Sequence, residues 1–134
     1  MRFHQPQTQF YCGVDLHARN MYLCVVDREG TIRTVAGSGK KGYRDGPALE
    51  AQFDGPKHIC VDNADNVYIA DDVNGAIRKY DPREGTVTTV LGRGQGAATI
   101  RLSKPHGVCF HKGKLYVVDS GNNRVLSLSP SAKE

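Results

Sequence analysis

Apolar residues in this chain come in short runs of four to seven, many of them alternating with polar ones, and the runs end on Asp, Asn, Gly or Pro. That period of two predicts β-strands with turn residues between them. One such run, Val67 to Asp71 (Val-Tyr-Ile-Ala-Asp), returns 48 residues later as Leu115 to Asp119 (Leu-Tyr-Val-Val-Asp). Upstream of each stands a proline and a further strand, Pro56 to Asp62 and Pro105 to His111, offset by 49, so that Cys60 and Cys109 share a register. Downstream, Asn74 and Asn122 hold equivalent places before the next strands, Ala76 to Tyr80 and Arg124 to Leu128. Self-similarity at such a spacing is the mark of a repeat architecture.

A third match pairs Asp27 to Gly37 (Asp-Arg-Glu-Gly-Thr-Ile-Arg-Thr-Val-Ala-Gly) with Asp81 to Gly92, interrupted only by Pro82. Extended backwards, Tyr11 to Asp15 stands for the strand that ends at Asp71, and Met21 to Val26 for the strand around Ile77. The chain then scans as three successive units. Each complete unit holds four strands of an antiparallel meander. Pro56 and Pro105 start strands where no ladder N–H is lost, Gly85 is free to take φ > 0 in a hairpin, and Asp71 and Asn74 can bond the backbone of the turn they flank. Such a sheet has two apolar faces and must pack against copies of itself, as propeller blades do.

Composition narrows the class. With 134 residues, 39% hydrophobic, 15 Gly and no Trp, the chain has the length of one turn-rich domain, with no apolar run long enough to span a membrane. Met1 to Gln9 is polar and does not read as a secretory signal, so a cytoplasmic location is the expectation. Cys12, Cys24, Cys60 and Cys109 are too widely spaced for a disulfide framework and are expected to be reduced and buried.

The string Gly-Pro-Lys-His-Ile-Cys-Val-Asp-Asn-Ala-Asp-Asn-Val-Tyr-Ile-Ala-Asp from Gly55 to Asp71, followed by Asn74, Ile77 and Arg78, resembles an NHL repeat. So does Lys104 to Val125, with its Asp-Ser-Gly-Asn-Asn-Arg-Val ending. The resemblance covers residues 31 to 128. It implies an all-β fold of antiparallel, four-stranded NHL-type propeller blades, two or three of them here, at approximately 55–92 and 104–128. In that family ring-shaped domains mostly bind proteins or RNA, and some relatives are hydrolases or lyases with a metal in the central channel.

Residues 9 to 27 carry a second resemblance, to the opening of DEDD-type insertion-sequence transposases, in which Asp15 matches the first metal-binding carboxylate. That chemistry needs several carboxylates around two divalent ions, and the remaining acidic residues have no counterpart here. Residues 1–30 are thus either a divergent blade or a transposase-like start joined to NHL repeats at 31–134. On either reading residues 9 to 36 make a three-stranded antiparallel ribbon.

The other constellations are weaker than their plainer readings. Gly37 to Gly42 matches GxGxxG formally, but Gly46 and Pro47 interrupt the helix a dinucleotide fold requires and leave room only for a short turn at Ala48 to Phe53, and Gly42 is followed by Tyr43 where a P-loop needs Lys-Ser or Lys-Thr. No cofactor is expected. His58 and His106 begin the strands that line a propeller's channel and are the candidate metal ligands, yet they occupy non-equivalent places and no third ligand is visible. His4, His17 and His111 group no better. Cys60 and Cys109 read as small buried hydrophobes. The net charge of +4 comes from scattered residues, among them Arg33, Lys40, Lys41, Arg44, Arg78, Lys79, Arg83, Arg93 and Arg101, which read as a solvated rim more readily than a phosphate-binding face.

Closed propellers have ~4 to 8 blades, so three at most leave apolar faces and strand edges to cover, and self-association is expected. The last blade lacks its own outer strand, for which Thr31 to Val35 is a candidate. The sequence therefore points to a non-enzymatic propeller fragment that binds protein partners. A metal-dependent lyase or hydrolase, and a nucleic-acid-binding protein or inactive transposase remnant, are the alternatives. Pro56, Asp71, Asn74, Pro105, Asp119 and Asn122 are the structural positions of the repeat.

Overall fold

In the computed structural model, which describes residues 10–15, 22–27, 29–97 and 99–130, three antiparallel sheets follow one another along the chain. For residues 10–15, 22 and 24–27 it describes the backbone alone. The first sheet is β1 (Phe10–Asp15), β2 (Tyr22–Asp27) and β3 (Ile32–Ala36). A two-residue strand, β4 (Gly46–Pro47), and a single 3-10 turn at Ala48–Glu50 lead into the second, made of β5 (Pro56–Val61), β6 (Val67–Asp71), β7 (Ala76–Asp81) and β8 (Thr86–Leu91), with β4 pairing the outer edge of β8. The third is β9 (Pro105–His111), β10 (Lys114–Asp119) and β11 (Arg124–Leu128). Apart from β4, each sheet pairs its strands in sequence order, so the architecture is one of antiparallel propeller blades.

The sheets share a register. Val14, Ala70 and Val118 stand opposite Leu23, Ile77 and Val125, and each pair lies one step before a strand-closing aspartate, Asp15, Asp71 or Asp119. A bulge interrupts the next ladder at the same place in the first two sheets, between Leu23 and Cys24 and between Ile77 and Arg78. The strands β1, β2 and β3 thus have the backbone of a blade without its first strand, the three-stranded ribbon expected from the sequence.

Two cores lie between the sheets. In one, Leu23 and Ala36 meet Ala48, Ala51, Phe53, Val67, Ile69 and Val87. In the other, Tyr68, Ala70, Ile77 and Leu91 meet Val108, Leu115 and Val117. All five residues of β6 are buried because both faces of the middle sheet are covered, while β10 alternates exposed and buried. Pro56 and Pro105 are the buried first residues of β5 and β9, and Gly85 takes φ +69° in the turn after β7, as expected.

One expectation is corrected here. Residues 31 to 35 do not complete the last blade: Ile32–Ala36 pairs with β2. The turn joining β2 and β3 makes that pairing local, and a local pairing closes a far shorter loop than one reaching β11.

The second and third sheets each carry a carboxylate staple. The fully buried Asp71 accepts the Asp54 N–H at 2.8 Å, the Asn74 amide at 2.8 Å and Arg78 Nη1 at 2.6 Å. Asp119, also buried, accepts the Ser103 N–H at 2.7 Å, the Asn122 amide at 2.9 Å and Arg124 Nε at 2.8 Å. The aspartate therefore bonds the loop before the blade's first strand as well as its own turn. The asparagine reaches further back, to the carbonyl of Gly42 in one blade and of Arg101 in the other.

Arg78 overturns the solvated-rim reading at its position. Its side chain is fully buried and bridges Asp71 and Asp45, donates to the carbonyls of Gln52 and Arg44, and lies over the rings of Tyr43 and Phe53. Burial of a charge is tolerated only with this degree of pairing. Arg124 makes the equivalent ion pair half-exposed. Replacing Arg78 with Met leaves the buried Asp71 without its fully buried partner and is expected to cost about 3–5 kcal/mol, whereas Arg124→Met removes a half-exposed partner from Asp119 and is expected to cost less; urea unfolding of the two variants checks the contrast.

The two aspartates titrate in opposite senses. Burial pushes the Asp71 carboxyl above its ordinary value, with Asn74, the Asp54 N–H and Arg78 pulling only partly against it. Burial also raises Asp119, but Asn122, the Ser103 N–H and Arg124 outweigh it and hold the carboxyl low. A depressed carboxylate stabilises the fold above its unfolded value and loses that contribution as pH falls through the folded value; a raised one has the opposite sign. Asp119→Asn is therefore expected to flatten the loss of stability on acidification, and Asp71→Asn to leave it at least as steep, as read from urea midpoints between neutrality and about pH 3.

Candidate functional site

The staples position a cleft of about 440 Å³ between the second and third sheets, lined by Val73, Asn74, Gly75, Arg93, Gly94, Ile100, Arg101 and Leu102. Asn74 comes from the turn after β6, Arg93 and Gly94 from the glycine turn after β8, and 100–102 from the segment entering β9. Gly92 at φ +92° passes so close to Gly75 and Ala76 that a Cβ there would strike their backbone, and the chain turns sharply enough to present Arg93.

Both arginines are held in place. Arg93 lies 4.0 Å from the centre of the Tyr43 ring and donates Nη1 to the Asn74 carbonyl at 3.3 Å. Tyr43 is itself fixed by a 2.7 Å hydrogen bond with Thr89, which bonds Asp45, the second carboxylate on Arg78. Arg101 is held through its backbone, since its carbonyl accepts both Asn122 Nδ2 at 3.0 Å and Arg124 Nη2 at 3.1 Å. Two cations thus flank a wall that includes the apolar Val73, Ile100 and Leu102. Of the other basic residues, Arg44 pairs with Glu50 at 3.3 Å and Arg83 with Asp81 at 3.7 Å, both at the surface.

The remaining sequence candidates are dispersed. His58 is exposed on β5; His106 is exposed on β9, with Nδ1 3.9 Å from Asp72 Oδ2. Among the described residues no group of three or more His, Cys, Asp or Glu side chains is placed to hold a metal ion. Asp15 closes β1 as Asp71 closes β6, so its register is that of a staple aspartate; its side chain, those of Cys12 and Cys24, and residues His4 and His17 lie outside what is described. The amides of Gly37, Ser38 and Gly42 donate to the carbonyls of Ala48, Ala51 and Phe53, so this glycine-rich segment spends its N–H groups on a structural turn.

The cysteine expectation holds for one of the two described thiols. Cys60 is half-buried, and burial first, then Cys109 and Asp62, push it up to about 12, so it stays a protonated, unreactive thiol. Cys109 is exposed, because among the described residues no sheet lies against its face of the third sheet. Tyr68 is likewise pushed up, by burial and by its hydrogen bond to Asp62, whose own carboxylate is held low by Asn66, the Ala64 N–H and Tyr68 against the effect of burial. That cluster closes the turn between β5 and β6. Among the described residues no helix is long and apolar enough to cross a membrane.

Residues 102–126 match the NHL repeat. The chain is 28% identical over 110 residues to the chloroplastic protein Suppressor of Quenching 1 of Arabidopsis thaliana, covering 73% of this chain and 10% of that protein. It is 26% identical over 123 residues to NHL repeat-containing protein 2 of Bos taurus, covering 79% of this chain and 17% of the relative, and 36% identical over 72 residues to the Gallus gallus protein of that name, covering 54% and 10%. The chain thus spans a small fraction of the relatives it matches. Among solved structures, a structural-genomics protein of Bacteroides thetaiotaomicron superposes with a TM-score of 0.75 at 23% identity, covering 88% of this chain and 32% of that one. An auxiliary nutrient binding protein of the same organism gives 0.73 at 22%, covering 92% and 35%. These matches lend no support to the transposase resemblance of residues 9 to 27. Residues 102–126 match the NHL repeat, and the chain folds as antiparallel blades of the propeller type.

Proposed function

We propose that the chain is a non-enzymatic binding module that holds an acidic protein segment in the cleft between its second and third sheets. The observation that carries this reading is the placement of Arg93 and Arg101 beside Val73, Ile100 and Leu102, with the Arg93 guanidinium held against Tyr43 and Asn74 and the Arg101 backbone held by Asn122 and Arg124. A guanidinium held as that of Arg93 is loses little entropy on meeting a carboxylate, and arginines pair with carboxylates in a planar, bidentate way. The apolar wall takes one aliphatic side chain between them. A binding role also agrees with the NHL repeat at residues 102–126, since such repeats often mediate protein interactions.

The test is fluorescence anisotropy with a labelled peptide of glutamates around a single leucine. Binding that weakens with added salt, and falls about tenfold in Arg101→Ala, is expected. Equal binding by the variant, or tighter binding of a labelled uridine oligonucleotide, contradicts the proposal.

A further inference from the structure

The common register of the three sheets makes one surface interpretable. Leu23, Ile77 and Val125 occupy the same position in successive sheets, and their exposures are 1%, 0% and 64%. The first two are buried by the sheet that follows in the chain: Val67, Ile69 and Val87 belong to the core around Leu23, and Val108, Leu115 and Val117 to the core around Ile77. The third is open. Its neighbours repeat the pattern, since Tyr116 and Val118 are exposed where their equivalents Tyr68 and Ala70 are buried, and Cys109 is exposed where Cys60 is half-buried. The face of β9–β11 thus has the chemistry and spacing of a face this molecule covers twice with the apolar back of another blade.

We propose that this face, built on Tyr116, Val118 and Val125, docks a second copy of the chain through that copy's first sheet. The register puts Ile32 on the side of the first sheet opposite to Leu23, and Ile32 is 67% exposed, so the first sheet carries an exposed apolar residue on its back. The contact continues the interface already present between consecutive sheets. It is head-to-tail rather than two-fold, and such a contact builds a closed ring or an open filament according to the rotation per copy. Exposed contiguous apolar patches of this kind mark interaction sites.

Size-exclusion chromatography with light scattering on the full chain tests the proposal. The wild type is expected to run above monomer mass, and Val125→Glu and Tyr116→Lys to run as monomers with an unchanged circular dichroism spectrum, while Leu49→Glu, at an exposed apolar site elsewhere, leaves the oligomer intact. Alkylation of Cys109, followed by peptide mapping, is expected to slow as wild-type concentration rises and to be independent of concentration in Val125→Glu. A monomeric wild type overturns the proposal. So does an oligomer that survives both face substitutions, or Cys109 labelling that ignores concentration.

Discussion

The carboxylate staple is the interaction on which the rest of the structure depends. A four-stranded sheet has only apolar contact to hold it against its neighbours, and apolar contact sets distance without setting orientation. Asp71 and Asp119 supply the orientation. Each gathers a backbone N–H from the loop that enters the blade, an amide from the turn that follows its strand, and a guanidinium from the next strand. Three segments are thereby tied at one point; Asn74 carries the tie on to a fourth at the Gly42 carbonyl, while Asn122 adds a second bond to the loop that enters β9, at the Arg101 carbonyl.

The cleft inherits its shape from those ties. Asn74 belongs to one staple and forms part of the cleft, while the Arg101 backbone is held by the other. Between them, Tyr43 lies under both Arg78 and Arg93, so a side chain sunk in the blade and one at its surface share a single ring. The cleft is therefore assembled by the same residues that fix the blades, and its exposed arginines add no buried charge of their own.

The architecture was legible in the sequence because its signals are local and repeated: the prolines that open β5 and β9, the alternation that ends at Asp71 and Asp119, the asparagines three residues on. The guanidinium was not. In the third sheet it comes from Arg124, opposite Asp119, and in the second from Arg78, two positions past Ala76, which stands opposite Asp71. An alignment that seeks the same residue at the same offset leaves Arg78 among the surface charges, and only the structure shows it sealed between Tyr43 and Phe53. Cys109 was misjudged for a related reason: its register matches Cys60, but burial depends on whether another sheet lies against it. The pairing of Ile32–Ala36 with β2 was legible in the ribbon read over residues 9 to 36, whereas the rival placement of Thr31 to Val35 on the last blade left chain proximity out of account.

If the staple orients the blades, its members act as a unit and not as separate contributors. A double-mutant cycle on Asp71→Asn and Arg78→Met, read by urea unfolding, measures that coupling directly. The account predicts that the double variant is less destabilised than the sum of the single ones by more than about 1 kcal/mol; costs that simply add would contradict it.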